Sequence, residues 1–88
     1  MKVGLIITSG SSYYDEDDIN KLMEELISLK PSKEEYVDSW KDKHWYLFVE
    51  INTINDIEFI QKYFDEELVI DLRGEEPFIE VYDDYREV

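Results

Sequence analysis

The run Val3-Gly4-Leu5-Ile6-Ile7-Thr8 constrains the fold more than any other feature of the chain. It is apolar without alternation, the pattern of a strand covered on both faces and therefore central in a sheet. The run is far too short for a signal peptide or a membrane span. Building a sheet around such a strand with 88 residues makes one domain, residues 1–88, near the lower end of what folds alone. Large side chains must supply the core. A hydrophobic content of 43% with 15% aromatic residues provides them and is too rich for a disordered chain.

The remaining elements follow from periodicity and capping signals. Ser9-Gly10-Ser11-Ser12 reads as a loop, and Ser12 with Asp15 forms a capping-box pattern before a helix. Ile19, Leu22, Met23, Leu26 and Ile27 share one helical face, and Lys30-Pro31 ends the helix. Residues 32–43 fit either a short helix capped by Ser32 and Glu35 or a strand around Tyr36 to Trp40. The hairpin is favoured because the next strand needs a partner. That next strand, His44 to Ile51, sets Trp45, Leu47, Val49 and Ile51 on one face and His44, Tyr46, Phe48 and Glu50 on the other. Asn55 and Glu58 predict the start of a second helix, with Ile54 stapled onto Phe59, with Ile57, Ile60 and Phe64 in its buried stripe and Tyr63 a further candidate for it. Leu68 to Leu72 and Phe78 to Tyr82 read as strands around the turn Arg73-Gly74-Glu75-Glu76-Pro77, and Asp83 to Val88 as an acidic tail. The order predicts an α+β, ferredoxin-like β-α-β-β-α-β two-layer sandwich, with its last strand split into a hairpin and both helices on one face of an antiparallel sheet. Such a fold hosts many unrelated functions.

Charge carries more functional information than the fold. There are 23 acids and 9 bases, a net charge of −14. Small domains ordinarily carry a net charge of magnitude roughly 2–8. Residues 1–43 hold 10 acids and 6 bases, whereas residues 44–88 hold 13 acids and 3 bases. A surplus of this size repels nucleic acid and anionic membranes and attracts basic protein surfaces. The chain has no cysteine, which excludes disulfides and thiolate metal sites and fits a reducing, cytoplasmic setting.

No residue pattern predicts catalysis, a cofactor or a metal. The Gly/Ser loop before the first helix sits where phosphate-binding loops do, but Asp15-Glu16-Asp17-Asp18 cancel the positive helix end that phosphate needs. The same acids lack the alternating ligands and central glycine of a calcium loop. Tyr82-Asp83-Asp84-Tyr85 has the paired aspartates of a polymerase palm without a basic template surface. His44, the single histidine, has no serine, cysteine or second histidine in a triad or zinc pattern. Among the aromatic residues, Trp40, Trp45, Phe48, Phe59 and Phe64 are expected in the core. Tyr13, Tyr14, Tyr82 and Tyr85 stand among acids, a pairing suited to a protein interface that meets arginine and lysine.

From Trp45 onward the chain has a strand, a capped helix at Ile51-Asn52-Thr53-Ile54, a hairpin, and the ending Ile79-Glu80-Val81-Tyr82-Asp83-Asp84-Tyr85. This half resembles small acidic proteins of phages and mobile elements in low-GC bacteria. In size, acidity and absence of cysteine the chain is similar to anti-CRISPR and anti-restriction proteins that imitate DNA. That group shares charge rather than a motif, so the resemblance maps no functional residue. It implies an inhibitor, not an enzyme, that enters the basic nucleic-acid-binding cleft of a nuclease or CRISPR effector in the host-cell cytoplasm. It implies no direct contact with nucleic acid or membrane.

An immunity or antitoxin-type protein for one toxin nuclease, or a regulatory assembly module, carries the same charge. The chain acts as a monomer or a homodimer. The expected partner-binding set is Tyr13, Tyr14, Asp15, Glu16, Asp17, Asp18, Glu75, Glu76, Asp83, Asp84, Tyr85 and Glu87. The first-turn acids approach the charge spacing of duplex DNA, about one per 1.7 Å of axis, at a helical rise of about 1.5 Å per residue.

Overall fold

The computed structural model describes residues 1–9, 15–65 and 67–83, with residues 8, 9, 82 and 83 described in their backbone only. Five strands and two helices follow one another as β1 (Lys2–Ser9), α1 (Glu16–Glu25), β2 (Ser32–Val37), β3 (Lys43–Glu50), α2 (Ile54–Phe64), β4 (Leu68–Asp71) and β5 (Phe78–Asp83). A single 3-10 turn, Ile27–Leu29, follows α1. The sheet order is β2-β3-β1-β5-β4. β1 is its middle strand, as the uninterrupted apolar run predicts.

Burial of β1 on both faces is not what the structure has. Val3 and Leu5 are buried beneath the helices, while Ile6, on the opposite face, is 44% exposed. Both helices pack on one face only: Ile19, Leu22 and Leu26 of the α1 side and Ile60 of α2 join Val3, Leu5, Leu47, Val49, Ile79 and Val81 in one apolar cluster. The architecture is α+β and two-layered, and among the described residues the other face of the sheet carries no helix.

The sheet is mixed, which corrects the antiparallel, ferredoxin-like expectation. β3 pairs antiparallel with β1 and with β2, from Lys2↔Glu50 to Leu5↔Leu47 and from Ser32↔Phe48 to Val37↔Lys43. The strand after α2 does not join β1. It turns back as the β4–β5 hairpin, and β5 runs parallel to β1 from Gly4↔Phe78 to Ser9↔Asp83. Side-chain burial accounts for the choice. Ile79 and Val81 of β5 are fully buried, whereas β4 has two exposed residues in its four and takes the edge. Short edge strands limit unwanted pairing.

The segment is a hairpin strand, as favoured, but it runs from Ser32 to Val37 and turns at 38–42, so Trp40, expected in the strand, lies in the turn. The helix starts fall elsewhere than predicted. Asp15, not Ser12, caps α1: its Oδ1 accepts the Asp18 N–H at 2.9 Å while Asp18 Oδ2 accepts the Asp15 N–H at 3.2 Å. α2 starts two residues early, capped by Thr53 in place of Asn55. Its Asp56 carboxylate accepts the N–H groups of Asn52 at 2.8 Å and Thr53 at 3.1 Å. A carboxylate at the third helical position can satisfy donors outside the helix that a later start would leave open. The shift puts Ile54 in the first turn, exposed.

Beyond Glu25 the chain tightens into the 3-10 turn, which ends at Lys30 in the left-handed region with φ 50°. Tightening changes the angular step per residue. It rotates Leu29 into the core and leaves Ile27 70% exposed.

Candidate functional site

The helix-free face of the sheet is built by strand alternation. On β3, Trp45, Leu47 and Val49 turn toward the helices, so His44, Tyr46 and Phe48 turn away. On β2 the register places Tyr36 opposite His44 and Glu34 opposite Tyr46. The rings then meet across the strands. Tyr36 and Tyr46 stack with centroids 4.3 Å apart and an interplanar angle of 20°. Tyr36 also stacks on His44 at 5.2 Å, and Tyr46 reaches Phe48 at 6.4 Å. Beyond Phe48 comes Gly4, where a side chain would meet Phe48 and Phe78 at about 4 Å. These are ordinary contact distances, and the Phe78 contact is to its Cβ, not its ring.

Charged groups border this stripe. Lys2 Nζ lies 4.4 Å from the centroid of the Phe48 ring and 3.5 Å from Glu34 Oε1. The Met1 amine sits 3.2 Å from Glu50 Oε2. A cation above an aromatic face beside a carboxylate is attracted by both, although an exposed pair of this kind adds at most about 1 kcal/mol.

At the end of the stripe, the paired register of β1 and β3 stops at Leu5↔Leu47 although both strands continue. The strands part there and leave a cleft of about 350 Å3, lined by Ile6, Ile7, Ile19, Tyr36, His44 and Tyr46 among others. Asp38 fixes the nearby hairpin. Its Oδ1 accepts the N–H groups of Trp40 at 2.8 Å and Asp42 at 3.0 Å, and its Oδ2 lies 2.7 Å from His44 Nε2. The His44 hydrogen bond first, then the Asp42 and Trp40 N–H groups, hold the Asp38 carboxyl below its ordinary range, with desolvation opposing them in part. The sequence reading found no partner for His44. Asp38 is that partner, six residues upstream across the hairpin turn.

The expected binding residues do not form one patch among the described residues. Asp15 and Asp18 are engaged as the reciprocal cap of α1, a role worth about 1 kcal/mol. Glu16 reaches over β2 to Lys33 at 2.9 Å, and Asp17 is exposed. Asp83 lies opposite Ser9, at the end where β1 finishes. Glu75 and Glu76 lie in the β4–β5 turn at the opposite end, next to Pro77, whose carbonyl accepts the Gly4 N–H at 2.9 Å. Tyr13, Tyr14, Asp84, Tyr85 and Glu87 lie outside the described residues, as does the side chain of Tyr82.

Two of the expected core aromatics are turned outward. Trp40, at the hairpin tip, is 83% exposed, and Phe59 is exposed on α2. Trp45 and Phe64 do pack against the core, while Phe48 is half-buried on the helix-free face. Tyr36 and Tyr46 were missed as candidate interface residues. Their signal was the period-two alternation of β3, which already assigned Tyr46 to the non-core side.

The arrangement defines an acidic α+β domain with one helix-covered and one aromatic sheet face. No family model matches the chain, and neither known proteins nor solved structures give a significant match. Among the described residues, no group of three or more histidine, aspartate or glutamate side chains is placed to hold a metal ion, and no helix is long and apolar enough to cross a membrane.

Proposed function

We propose that this chain is a non-catalytic inhibitor of the anti-CRISPR or anti-restriction type, binding the basic nucleic-acid cleft of a nuclease or effector in the cytoplasm. The supporting observation is how its charge is disposed. No charged side chain is buried among the described residues, while Lys2, Lys33, Lys43 and Arg73 each stand within 4 Å of a carboxylate. Several bases are thus answered internally, and the acidic surplus faces solvent, where it attracts a basic surface at long range.

The exposed Tyr36–Tyr46 stack favours a second reading within this class, an immunity-type protein for one toxin nuclease, because tyrosine anchors give shape-specific interfaces.

The test is capture from host lysate at low salt, followed by elution with duplex DNA and, separately, with high salt. On this reading a nucleic-acid-binding nuclease or effector elutes with either. A partner that stays bound in both, or an empty eluate, rejects it.

A further inference from the structure

We propose that β4 is a self-pairing edge: a second copy of this chain docks on it antiparallel, about a two-fold axis at Ile70, joining the two five-stranded sheets into one. The inference stands apart from the inhibitor reading and concerns a different surface.

The two outer edges of the sheet are unlike. β2, at one edge, reads Ser32-Lys33-Glu34-Glu35-Tyr36-Val37. A two-fold at Lys33, Glu34 or Glu35 sets that charge against itself, and charged edges resist pairing. β4, at the other edge, reads Leu68-Val69-Ile70-Asp71, and among the described residues no strand pairs with its outer side. Val69 is 59% and Ile70 43% exposed. Ile70 lies opposite the fully buried Ile79, on the helix-covered side of the sheet, yet stands outside the core cluster. A scattered apolar residue at a surface is ordinary. Register gives this one a partner.

Opposed residues of an antiparallel pair share a face and a hydrogen-bonding sense, so a strand pairing with its own copy must be centred on a residue. A centre at Leu68 sets Asp71 against Asp65, the C-cap of α2. A centre at Val69 sets Glu67 against Asp71, and a centre at Asp71 sets that carboxylate against itself. Like charges directly opposite are destabilising. Ile70 is the remaining centre, and it is complementary throughout. Ile70 meets Ile70, and Leu68 and Leu72 of one copy meet Leu72 and Leu68 of the other, extending the apolar layer they already border. At both ends Glu67 comes opposite Arg73.

Those two residues can pair across the axis. Glu67 is exposed and takes part in no ion pair among the described residues. The Arg73 side chain meets Asp71 through Nε at 3.9 Å and is 94% exposed, so an open guanidinium fork remains for a second carboxylate. Residues 67–73 hold two acids and one base, so the contact itself is nearly neutral although the chain carries −14. Salt screens the repulsion between the two bodies beyond about 10 Å at 0.1 M. The strand has four residues, which makes the contact small and the association reversible.

The test is sedimentation equilibrium of the whole chain from about 10 μM to about 1 mM, in about 0.15 M sodium chloride. The mass is expected to rise with concentration from 10.6 kDa toward twice that value. Lowering the salt should weaken the dimer, the opposite of its effect on binding to a basic partner. Ile70→Lys, which places a charge on the axis at an exposed position, should hold the chain monomeric. Glu67→Arg should weaken the dimer about tenfold by opposing arginines at both ends, although it makes the chain less acidic and net charge alone would tighten the pair. The double reversal Glu67→Arg, Arg73→Glu leaves the net charge unaltered and should bring affinity back within about twofold. Amide shifts that change on dilution should fall on residues 67–73.

A monomer at every concentration overturns the inference, as does a dimer that survives Ile70→Lys or dilution shifts confined to β2 or α1. A dimer tightened by Glu67→Arg, or one that the double reversal fails to recover, overturns the axis at Ile70. If Ile70→Lys does not fold, the charge reversals, which lie at exposed positions flanking the strand, decide the matter.

Discussion

At the scale of single residues, the carboxylates divide into those that hold the backbone and those that only carry charge. Asp15, Asp18 and Asp56 serve helix starts, and Asp38 serves a hairpin. The Asp38 carboxyl titrates lower in the folded chain than its ordinary value. Its contribution to stability is therefore complete above the unfolded value, roughly 3.9, and is lost as pH falls through the folded one. Replacing His44 with phenylalanine removes the first cause of the shift while keeping a ring against Tyr36. The Asp38 carboxyl titration, followed by carbon NMR in His44→Phe, should move back up toward the ordinary range. An unmoved titration would mean that the backbone N–H groups alone hold it down. This pairing was not legible in the sequence. A histidine at a strand start gains meaning only when the preceding turn has a known shape, and residues 32–43 were compatible with helix or hairpin. Asp15 and Asp18 were legible as acids at a helix start but not as a reciprocal cap, because a capping box depends on where the helix begins.

The elements themselves follow closely from apolar spacing. Ile19, Leu22 and Leu26 on the first helix and Ile57, Ile60 and Phe64 on the second face the cluster that the strands complete. Leu26 has no exposed surface. Leu26→Ala should cost about 2–5 kcal/mol, measured by urea unfolding, because few neighbours in so small a core can close the cavity. With total stabilities of about 5–15 kcal/mol for typical domains, the variant sits near the edge of folding. A cost below about 1 kcal/mol would show that the junction of α1 and its 3-10 turn yields to fill the space. The central place of β1 was readable because its apolar run is unbroken, yet the same run misled about coverage. An unbroken run cannot distinguish a second helical layer from an open face dressed with aromatics, and Ile6 sits on that open face. The β5–β1 pairing was hidden for another reason. Both strands of the last hairpin are aliphatic, and only tertiary packing decides which one lies inside.

For the whole molecule the dominant fact is a net charge of −14 borne by 88 residues. Self-repulsion opposes the compact state, and dissolved salt screens it over about 10 Å at 0.1 M. Raising sodium chloride from low to physiological levels should therefore stabilise the free protein while weakening the proposed binding to a basic partner. A rise in melting temperature of roughly 4 °C, corresponding to ~1 kcal/mol in a domain of this size, is expected by calorimetry. A flat or falling melting temperature would mean that the internal ion pairs outweigh the repulsion. The two opposite responses to one variable separate surface charge that serves the proposed binding from charge that holds the fold.

The parallel register of Leu5 with Ile79 joins segments separated by nearly the whole described chain. During synthesis β1 emerges early and its neighbour β5 late. The sheet can grow from β1 toward β3 and β2 as soon as those are made, but the flank that receives β5 waits. Loop-closure entropy must be met before that pairing returns anything, which makes it a slow step relative to the β2–β3 hairpin. Until then the middle strand of the finished sheet is an edge strand, apolar and unprotected. A nascent chain of this design is at its most adhesive just before its final hairpin arrives, and Ile79 and Val81 are the residues that end that interval.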